Sequence, residues 1–230
     1  MLEPLSEEEL EELARRCPDT RLEAGEIFFT PEEDLERLFV LKEGRIQVFK
    51  VSSEGPELTL AVVRGGAIFG EMALTAQRLR ESYARAMEPS VVMSLRREDL
   101  EDLIQSNAKV GFRLVNSLSE RLRRCETRLE DVAFKEVPAR LASQILELVE
   151  REGVASEDGY FIPTRYTHDQ LASMIGANRV SVSRALSKLR KMGAIESRRR
   201  LIRIKDLPSL GRAAQEERSA RRIAEEFDRG

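Results

Sequence analysis

The sequence is poor in the residues that form disulfides and metal sites. It contains two cysteines, Cys17 and Cys125, which lie far apart, so it offers neither a disulfide framework nor a Cys-x-x-Cys metal motif. The same count excludes an iron–sulfur cluster, which needs about four cysteine thiolates. Low cysteine usage fits a reducing cytoplasm.

Histidine is scarcer still, because His168 is the only one in 230 residues. A metal enzyme of the cupin type places two or three histidines on its barrel, and residues 21–95, where strand-like segments occur, contain none. The sequence also lacks a Gly-x-Ser-x-Gly motif and a phosphate-loop lysine motif. We therefore expect no enzyme, with no catalytic residues and no metal.

Long apolar runs are missing as well. The sequence has no stretch of about 18 consecutive apolar residues, which argues against a membrane span. The first residues, MLEPLSEEELEELARR, are acidic and amphipathic, whereas a secretory signal has basic residues followed by an apolar core. We expect a cytoplasmic protein with no membrane partner.

The net charge of −3 conceals a strong asymmetry along the chain. Residues 164–205 carry eleven Lys or Arg and two acidic residues, a net charge of +9, which leaves about −12 for the remainder. A concentration of positive charge in one segment is typical of a surface that binds polyanions. The search for a binding site therefore starts in this segment.

Between Arg21 and Leu95 the chain consists of short runs rich in Val, Ile, Leu and Phe. Turn signals separate them, with KEG at 42–44, EGP at 54–56 and GG at 65–66. This pattern predicts a small antiparallel sandwich or jelly roll.

Helical periodicity resumes near Asp99 and continues to about Phe134, with Gly111 as the only internal breaker. Apolar residues within this helix recur at spacings of three and four, which is a heptad seam. The seam consists of Val115, Leu118, Leu122, Cys125, Leu129 and Val132. Charged residues on the other faces favour a coiled coil between two copies of the chain over a helix packed on its own domain.

Two short helices are predicted in the basic segment. Thr167 and Gln170 form a capping box that starts the first helix, and Gly176 ends it. The second helix is predicted from about Arg179 to Met192, with apolar residues at helical spacing on its buried side. Two helices joined by a glycine-containing turn are a helix-turn-helix, which reads DNA with the start of its second helix.

The expected DNA contacts are the polar side chains of this motif, the apolar Val180, and the basic tip of a two-stranded wing predicted after the second helix. They are Thr167, Arg179, Val180, Ser181, Ser183, Arg184, Lys188, Arg198, Arg199 and Arg200. The wing arginines are expected to bind phosphates and to set the salt dependence of binding. An ordinary solvated helical hairpin is the alternative, but it leaves the order of cap, turn, arginines and wing unexplained.

Four segments resemble the cyclic-AMP receptor protein/FNR (Crp/Fnr) family of bacterial transcription regulators. They are GGAIFGEMAL (65–74), ESYARAME (81–88), DVAFKEVPARLASQIL (131–146) and the Ile-Gly-Ala-Asn-Arg-x-x-Val-x-Arg run (175–184). The resemblance implies an α+β protein with an amino-terminal jelly roll of the cyclic-nucleotide-binding kind, a long dimerisation helix and a carboxy-terminal winged helix-turn-helix. It also implies a homodimer that binds a two-fold symmetric site on double-stranded DNA and contacts RNA polymerase, commonly as an activator.

The chain departs from the cyclic-AMP binders of this family in the ligand pocket. Gly70-Glu71 and Ser82 match the family's Gly-Glu and Ser, but Glu81 stands where an arginine holds the cyclic phosphate. Arg80 could substitute only if the loop slipped by one residue. A carboxylate repels the phosphate, the more so in a buried pocket, so we expect no cyclic AMP. We expect no cofactor and a protein that is active without a small molecule, with an unidentified ligand in the altered pocket as the alternative.

Two further positions of the altered pocket depart from the family. Cys125 and Glu126 stand where a Thr-Ser pair contacts adenine. We interpret Cys125 as a small apolar seam residue, with redox-sensitive pairing across the two-fold axis as the alternative. His168 lies at the start of a DNA-binding helix, so we interpret it as a polar residue on the phosphate side rather than as a haem ligand.

The recognition helix departs from the family at one position. Members that read a TGTGA-type half-site carry Arg, Glu and Arg, which here are Arg179, Val180 and Arg184. Arginine can bind guanine N7 and O6 with two hydrogen bonds, whereas valine cannot accept from cytosine N4 and instead offers a surface to a thymine methyl group. We expect a half-site that keeps its guanines and differs at the base pair facing Val180.

These interpretations divide the chain into four regions. We expect an effector-type jelly roll at 1–98, a dimerisation helix region at 99–136, a winged helix-turn-helix at 137–206 and a charged extension at 207–230, with a hinge at 135–138. Within the extension, residues 211–230 are expected to form a solvated helix or a frayed tail. The alternative function is a nucleotide- or small-ligand-sensing regulatory protein that acts through a protein partner, but that alternative leaves the +9 segment unexplained.

Overall fold

The computed structural model describes residues 17–31, 37–70, 82–156, 159–198 and 201–215. The chain divides into two compact units, Met1–Arg123 and Arg124–Gly230. This division falls inside a long helix and not at the expected hinge, 135–138. No helix in the described part of the chain is long and apolar enough to span a membrane.

The first unit is built mainly of short antiparallel strands, as the alternation of apolar runs and turns predicts. Its described strands are β1 (Asp19–Leu22), β2 (Ile27–Phe29), β3 (Arg37–Glu43), β4 (Arg45–Val51), β5 (Glu57–Arg64), β6 (Ile68–Phe69), β7 (Tyr83–Ala86) and β8 (Ser90–Arg96). They form two four-stranded sheets in the orders β1-β8-β3-β6 and β2-β7-β4-β5.

Both sheets contribute to one apolar core, which makes the unit a jelly-roll-like sandwich. Phe39 and Val92 come from the first sheet, and Ile46, Val48 and Ala84 from the second. Alternate residues of β4 therefore point into the core, as expected for a strand with one face on the interior.

The first sheet is buried on its other face as well. Leu38, Val40 and Leu95 pack there with Leu100 and Leu103 of α1 (Arg97–Ser106). Because both faces are covered, β3 reads as an unbroken apolar run and not as an alternating one.

The predicted single helix near 99–134 is two helices, α1 and α2 (Ala108–Phe134). The break lies at Asn107, whose backbone is extended and whose Oδ1 accepts a hydrogen bond from the amide of Lys109 at 3.2 Å. Asparagine favours helix caps because its side chain can bond to nearby amides, which explains a break here. Gly111, the expected breaker, lies inside α2.

The second unit combines helices with a small sheet. Its described elements after α2 are α3 (Val137–Glu152), β9 (Val154–Ser156), β10 (Gly159–Ile162), α4 (His168–Ile175), α5 (Arg179–Lys191), β11 (Ile195–Arg198), β12 (Leu201–Ile204) and α6 (Leu207–Ala214). The strands form one antiparallel sheet in the order β11-β12-β10-β9. Helix α3 lies at the centre and contacts α4, α5 and α6.

Two features of the second unit differ from the sequence-based expectation. The predicted two-stranded wing is present as β11 and β12, but it belongs to a larger sheet, because β10 pairs with β12 and β9 with β10. The segment Leu207–Ala214, expected to begin a charged extension, is a helix that packs on α3 with Leu210 fully buried. Apolar residues recur in this segment at helical spacing, but the charged residues that follow it along the chain made this pattern hard to recognise in the sequence. The rest of the expected extension, 216–230, lies outside the described residues.

Candidate nucleic-acid interface

The first helix of the predicted helix-turn-helix begins with the capping box read from the sequence. The amide of Gln170 donates to Thr167 Oγ1 at 3.1 Å, and the amide of Thr167 donates to Gln170 Oε1 at 2.8 Å. These bonds satisfy two amides that the helix itself leaves without partners. The Thr167 hydroxyl, an expected DNA contact, therefore already caps α4.

A tight turn joins α4 to α5. Gly176 has a φ of 60°, the left-handed conformation that glycine adopts without steric cost, and it ends α4. Two residues later Asn178 caps α5, with its Oδ1 accepting from the amide of Ser181 at 2.8 Å. The turn thus fixes the direction in which α5 leaves α4.

Helix α5 has one buried and one exposed side. The prediction that Val182, Leu186 and Leu189 are buried is confirmed, and Ala185 joins them. On the other side Arg179 and Arg184 are exposed, as is Val180 with 59% of its surface. The remaining expected contacts of α5, which are half-buried, are Ser181, Ser183 and Lys188.

The outer surface of α5 carries positive charge along most of its length. A shallow groove on this surface is lined by Val180, Ser183, Arg184, Ser187, Lys188, Lys191 and Met192. This lining includes three cationic side chains and no carboxylate. Such a surface combines apolar and hydrogen-bonding groups for base edges with positive charge for phosphates.

One carboxylate lies close to the start of α5. Arg179 Nη1 is 3.9 Å from Asp169 Oδ2, and both side chains are 69% exposed. An exposed pair of this kind contributes about 0–1 kcal/mol to stability, so it holds Arg179 only weakly. Arg179 can therefore exchange this partner for a base or phosphate at little cost.

A buried arginine supports the motif from behind. Arg140 of α3 is 9% exposed, and its Nη1 donates to the carbonyl oxygen of Ile175 at 3.0 Å. That carbonyl is at the carboxyl end of α4, where a positive charge is favourable. The segment leading into α4 is attached to α3 as well, because Tyr166 donates to Glu152 Oε1 at 2.6 Å and Thr164 also donates to Glu152.

The wing continues from α5. Strands β11 and β12 pair in register, with Glu196 opposite Arg203 and Arg198 opposite Leu201. Arg198 is the last residue of β11, at the tip. Arg199 and Arg200, the other two expected wing contacts, lie outside the described residues.

The altered ligand pocket of the first unit is described only in part. Gly70 follows β6 with a φ of 80°, and half-buried Ser82 precedes β7. Glu71, Arg80 and Glu81 lie outside the described residues. In the described part of the chain, no group of three or more His, Cys, Asp or Glu side chains could hold a metal ion.

The predicted seam of α2 is exposed along its whole length. Its aliphatic members are Val115, Leu118, Leu122, Leu129 and Val132, which are between 40% and 70% exposed. Cys125 is exposed as well, as is Glu126 beside it. Phe112, three residues before Val115, extends this stripe and is 72% exposed, although the sequence reasoning missed it. The stripe consists of apolar surface in contact with water.

Comparisons with known proteins cover both units. The family model of the cyclic nucleotide-binding domain matches residues 19–107, and that of the Crp-like helix-turn-helix domain matches residues 139–213. A global nitrogen regulator of Synechococcus elongatus is 31% identical over 183 residues, which are 78% of this chain and 82% of the relative. The chain belongs to the Crp/Fnr family of transcription regulators.

Other Crp/Fnr proteins agree with this assignment. A cyclic AMP receptor protein of Thermus thermophilus is 32% identical over 160 residues, which are 70% of this chain and 71% of that protein. The crystal structure of a CRP/FNR-family transcriptional regulator from the same species matches with a TM-score of 0.68 and 30% identity, over 86% of this chain and 99% of that one. The α+β fold class expected from the sequence is confirmed, and the protein is a transcription regulator with a helix-turn-helix DNA-binding domain.

Proposed function

We propose that this Crp/Fnr regulator binds a two-fold symmetric DNA site as a homodimer, with α5 of each protomer in the major groove. One observation carries the proposal: the groove on the outer side of α5 is lined by the cationic side chains Arg184, Lys188 and Lys191 and by no carboxylate. An α-helix fits the major groove, where Arg179 and Arg184 are the donors for guanine and Val180 is the apolar contact.

The exposed stripe of α2 supports the homodimer. A helix in water does not keep six or more apolar side chains on one line unless a partner covers them, because each buried aliphatic side chain contributes about 1.5–3 kcal/mol. The heptad spacing matches a second copy of the same helix. Two copies related by a two-fold axis present two recognition helices, which can enter successive major grooves about 34 Å apart on one side of the duplex.

The proposed regulator works in the cytoplasm and contacts RNA polymerase when it is bound to DNA. The family assignment supports this part of the proposal, since the relatives are transcription regulators. We also propose the domain limits expected from the sequence, which are 1–98, 99–136, 137–206 and 207–230. The one change is that α6, at the start of the last region, is part of the DNA-binding domain.

The proposed regulator binds DNA without cyclic AMP. Relatives that are named for cyclic AMP include the Thermus thermophilus protein above. Here the position expected to hold the cyclic phosphate is Glu81. Two negative charges in contact repel each other, and more strongly where water is excluded, so this substitution removes the main attraction for the ligand and adds a penalty.

Selection of bound sequences from random double-stranded DNA, with and without cyclic AMP, tests the proposal. We expect an inverted repeat whose half-sites contain guanine, enriched equally under both conditions. Failure to enrich any sequence at low salt would contradict the DNA-binding role and favour a regulator that acts through a protein partner. Enrichment only with cyclic AMP would overturn ligand independence and leave the DNA-binding role standing.

A further inference from the structure

One carboxylate lies among the cationic side chains of the helix-turn-helix. Asp169, the second residue of α4, is the only acidic residue in α4 and α5, which together carry five Lys or Arg. Its Oδ2 lies 3.9 Å from Nη1 of Arg179, the first residue of α5, and both side chains are 69% exposed. A negative charge thus lies beside an arginine that is proposed to read a base.

The start of α4 lies against the start of α5. His168, the residue before Asp169, contacts α5 through its Nδ1, which is 2.7 Å from Ser183 Oγ. Ser183 also lines the outer groove of α5 together with Arg184. Two contacts between the helices, His168 with Ser183 and Asp169 with Arg179, therefore place the carboxylate at the edge of the surface proposed to face DNA.

Stability explains this carboxylate only in part. An acidic residue in the first turn of a helix interacts favourably with the helix dipole, and an exposed ion pair adds little. Neither effect requires Arg179 as the partner, and Thr167 already caps this helix end. A carboxylate at the edge of a DNA-binding surface repels phosphates on DNA of any sequence, so its net effect on binding depends on what Arg179 contacts.

Arginine has enough donors to contact a carboxylate and a guanine at the same time. The guanidinium group has five N–H donors, and a guanine in the major groove accepts two of them at N7 and O6. The other three remain for Asp169. Water screens the pair in the free protein, whereas DNA excludes water from the groove and strengthens the attraction between the opposite charges. Contact with guanine is therefore compatible with the pair.

A phosphate contact has the opposite consequence. If Arg179 turns from Asp169 to a phosphate, the carboxylate loses its partner and lies beside the negative DNA backbone. Non-specific binding depends on phosphate contacts of this kind, so the carboxylate weakens it most. Specific recognition combines favourable contacts to the correct partner with repulsion of incorrect ones, and a carboxylate at this position provides both effects.

We propose that Asp169 is a positioning residue that determines base specificity: it holds Arg179 on a guanine and disfavours contact of Arg179 with a phosphate. This inference rests on the proposed DNA-binding function and concerns one guanine in each half-site. Arg184 lies about 7.5 Å further along the axis of α5, so the guanine that it reads should not depend on Asp169.

Competition titrations of full-length Asp169→Asn with the selected duplex and with a scrambled duplex test the proposal. Asparagine has nearly the same size and no charge. We expect the affinity for the scrambled duplex to rise and the ratio of the two affinities to fall about threefold to tenfold, because two such pairs act in the proposed dimer. This ratio is independent of the folded fraction, which affects both titrations equally. An unchanged or larger ratio would contradict the proposal.

Glu196→Gln is the matched control. Glu196 is the other acidic residue of the segment 164–205 and lies on β11 of the wing, opposite Arg203. This substitution changes the net charge by the same amount, so both affinities should rise by a similar factor and their ratio should stay within about twofold. A fall in the ratio as large as that of Asp169→Asn would indicate a general effect of charge and count against a positioning role.

Single-base variants of the selected duplex identify the guanine concerned. Asp169→Asn should lose discrimination at the guanine whose preference is lost in Arg179→Ala, and keep it at the guanine whose preference is lost in Arg184→Ala. Added to Arg179→Ala, Asp169→Asn should change no base preference, since the side chain through which it acts is missing. An equal loss at both guanines, or a further loss in the double variant, would exclude action through Arg179.

Failure of this inference can be distinguished from failure of the proposed function. Specific binding with the same base preferences in Asp169→Asn and in the unaltered protein would exclude the inference alone. Absence of binding to every duplex at low salt would exclude the proposed function, and the inference with it.

Discussion

Arg140 and Ile175 are 35 positions apart in the sequence, and Arg140 Nη1 donates to the Ile175 carbonyl oxygen at 3.0 Å. The contact attaches the carboxyl end of α4 to α3, just before Gly176 redirects the chain into α5. A buried side chain of α3 thus supports the turn that orients α5, the proposed recognition helix.

Arg140→Ala should destabilise the helix-turn-helix. The substitution leaves a buried carbonyl without this donor, and hydrogen bonds to charged groups contribute about 1.5–3 kcal/mol. We expect the free energy of opening of the α4 amides, measured by hydrogen exchange, to fall by about that amount. The control is Arg190→Ala on the exposed end of α5, which should change it by less than about 0.5 kcal/mol. Equal effects of the two substitutions would show that the Arg140 bond contributes nothing.

Arg184→Ala should weaken binding to the selected site by about 1–3 kcal/mol and relax the preference at one base pair. The reason is that arginine donates two hydrogen bonds to guanine in the major groove, and alanine donates none. Competition titrations with the selected duplex and with single-base variants measure both effects. A uniform loss on all duplexes, with the preference intact, would indicate a phosphate contact instead of base reading.

Val180 should make binding sensitive to a thymine methyl group. Replacing the thymine that faces Val180 with deoxyuridine removes one methyl group, worth about 0.8 kcal/mol when it is buried. We expect the binding free energy of the unaltered protein to weaken by about that amount and that of Val180→Ala to stay almost unchanged. The four affinities together form a double-mutant cycle between protein and DNA. If both proteins lose the same affinity, the methyl group is read by another residue.

Leu122→Glu should convert the proposed dimer into a monomer. Leu122 is 60% exposed in one chain and lies in the middle of the α2 stripe, where a carboxylate would be buried against its copy in the partner. Sedimentation velocity should show a single-chain species at micromolar concentration, with DNA affinity reduced at least tenfold. Asn116→Glu adds the same charge about 120° around the helix, at an exposed position, and should leave the dimer intact. A dimeric Leu122→Glu variant would exclude the stripe as the interface.

The helix-turn-helix could be predicted in detail because its determinants are local. The capping box of Thr167 and Gln170, the glycine at 176 and the spacing of Val182, Leu186 and Leu189 each depend on neighbours within one or two helical turns. All of them occur as the sequence predicts. Local signals of this kind are what short-range patterns in a sequence encode.

Features that depend on distant residues could not be predicted. The contact between His168 and Ser183 spans 15 positions, and that between Arg140 and Ile175 spans 35. Strand β9 has only three residues, which are too few to show an alternation of apolar and polar side chains. It is a strand because it pairs with the neighbouring β10. In each case the partner is set by the folded arrangement and not by spacing along the chain.

Protection of guanine N7 from methylation by dimethyl sulfate tests the central claim most directly, because N7 faces the major groove that α5 is proposed to enter. In a selected duplex we predict two sets of protected guanines, about one helical repeat apart on one face of the DNA, with protection lost in Arg184→Ala at one guanine of each set. Tight binding that leaves every guanine N7 reactive, or protection that persists in Arg184→Ala at every protected guanine, would contradict the account.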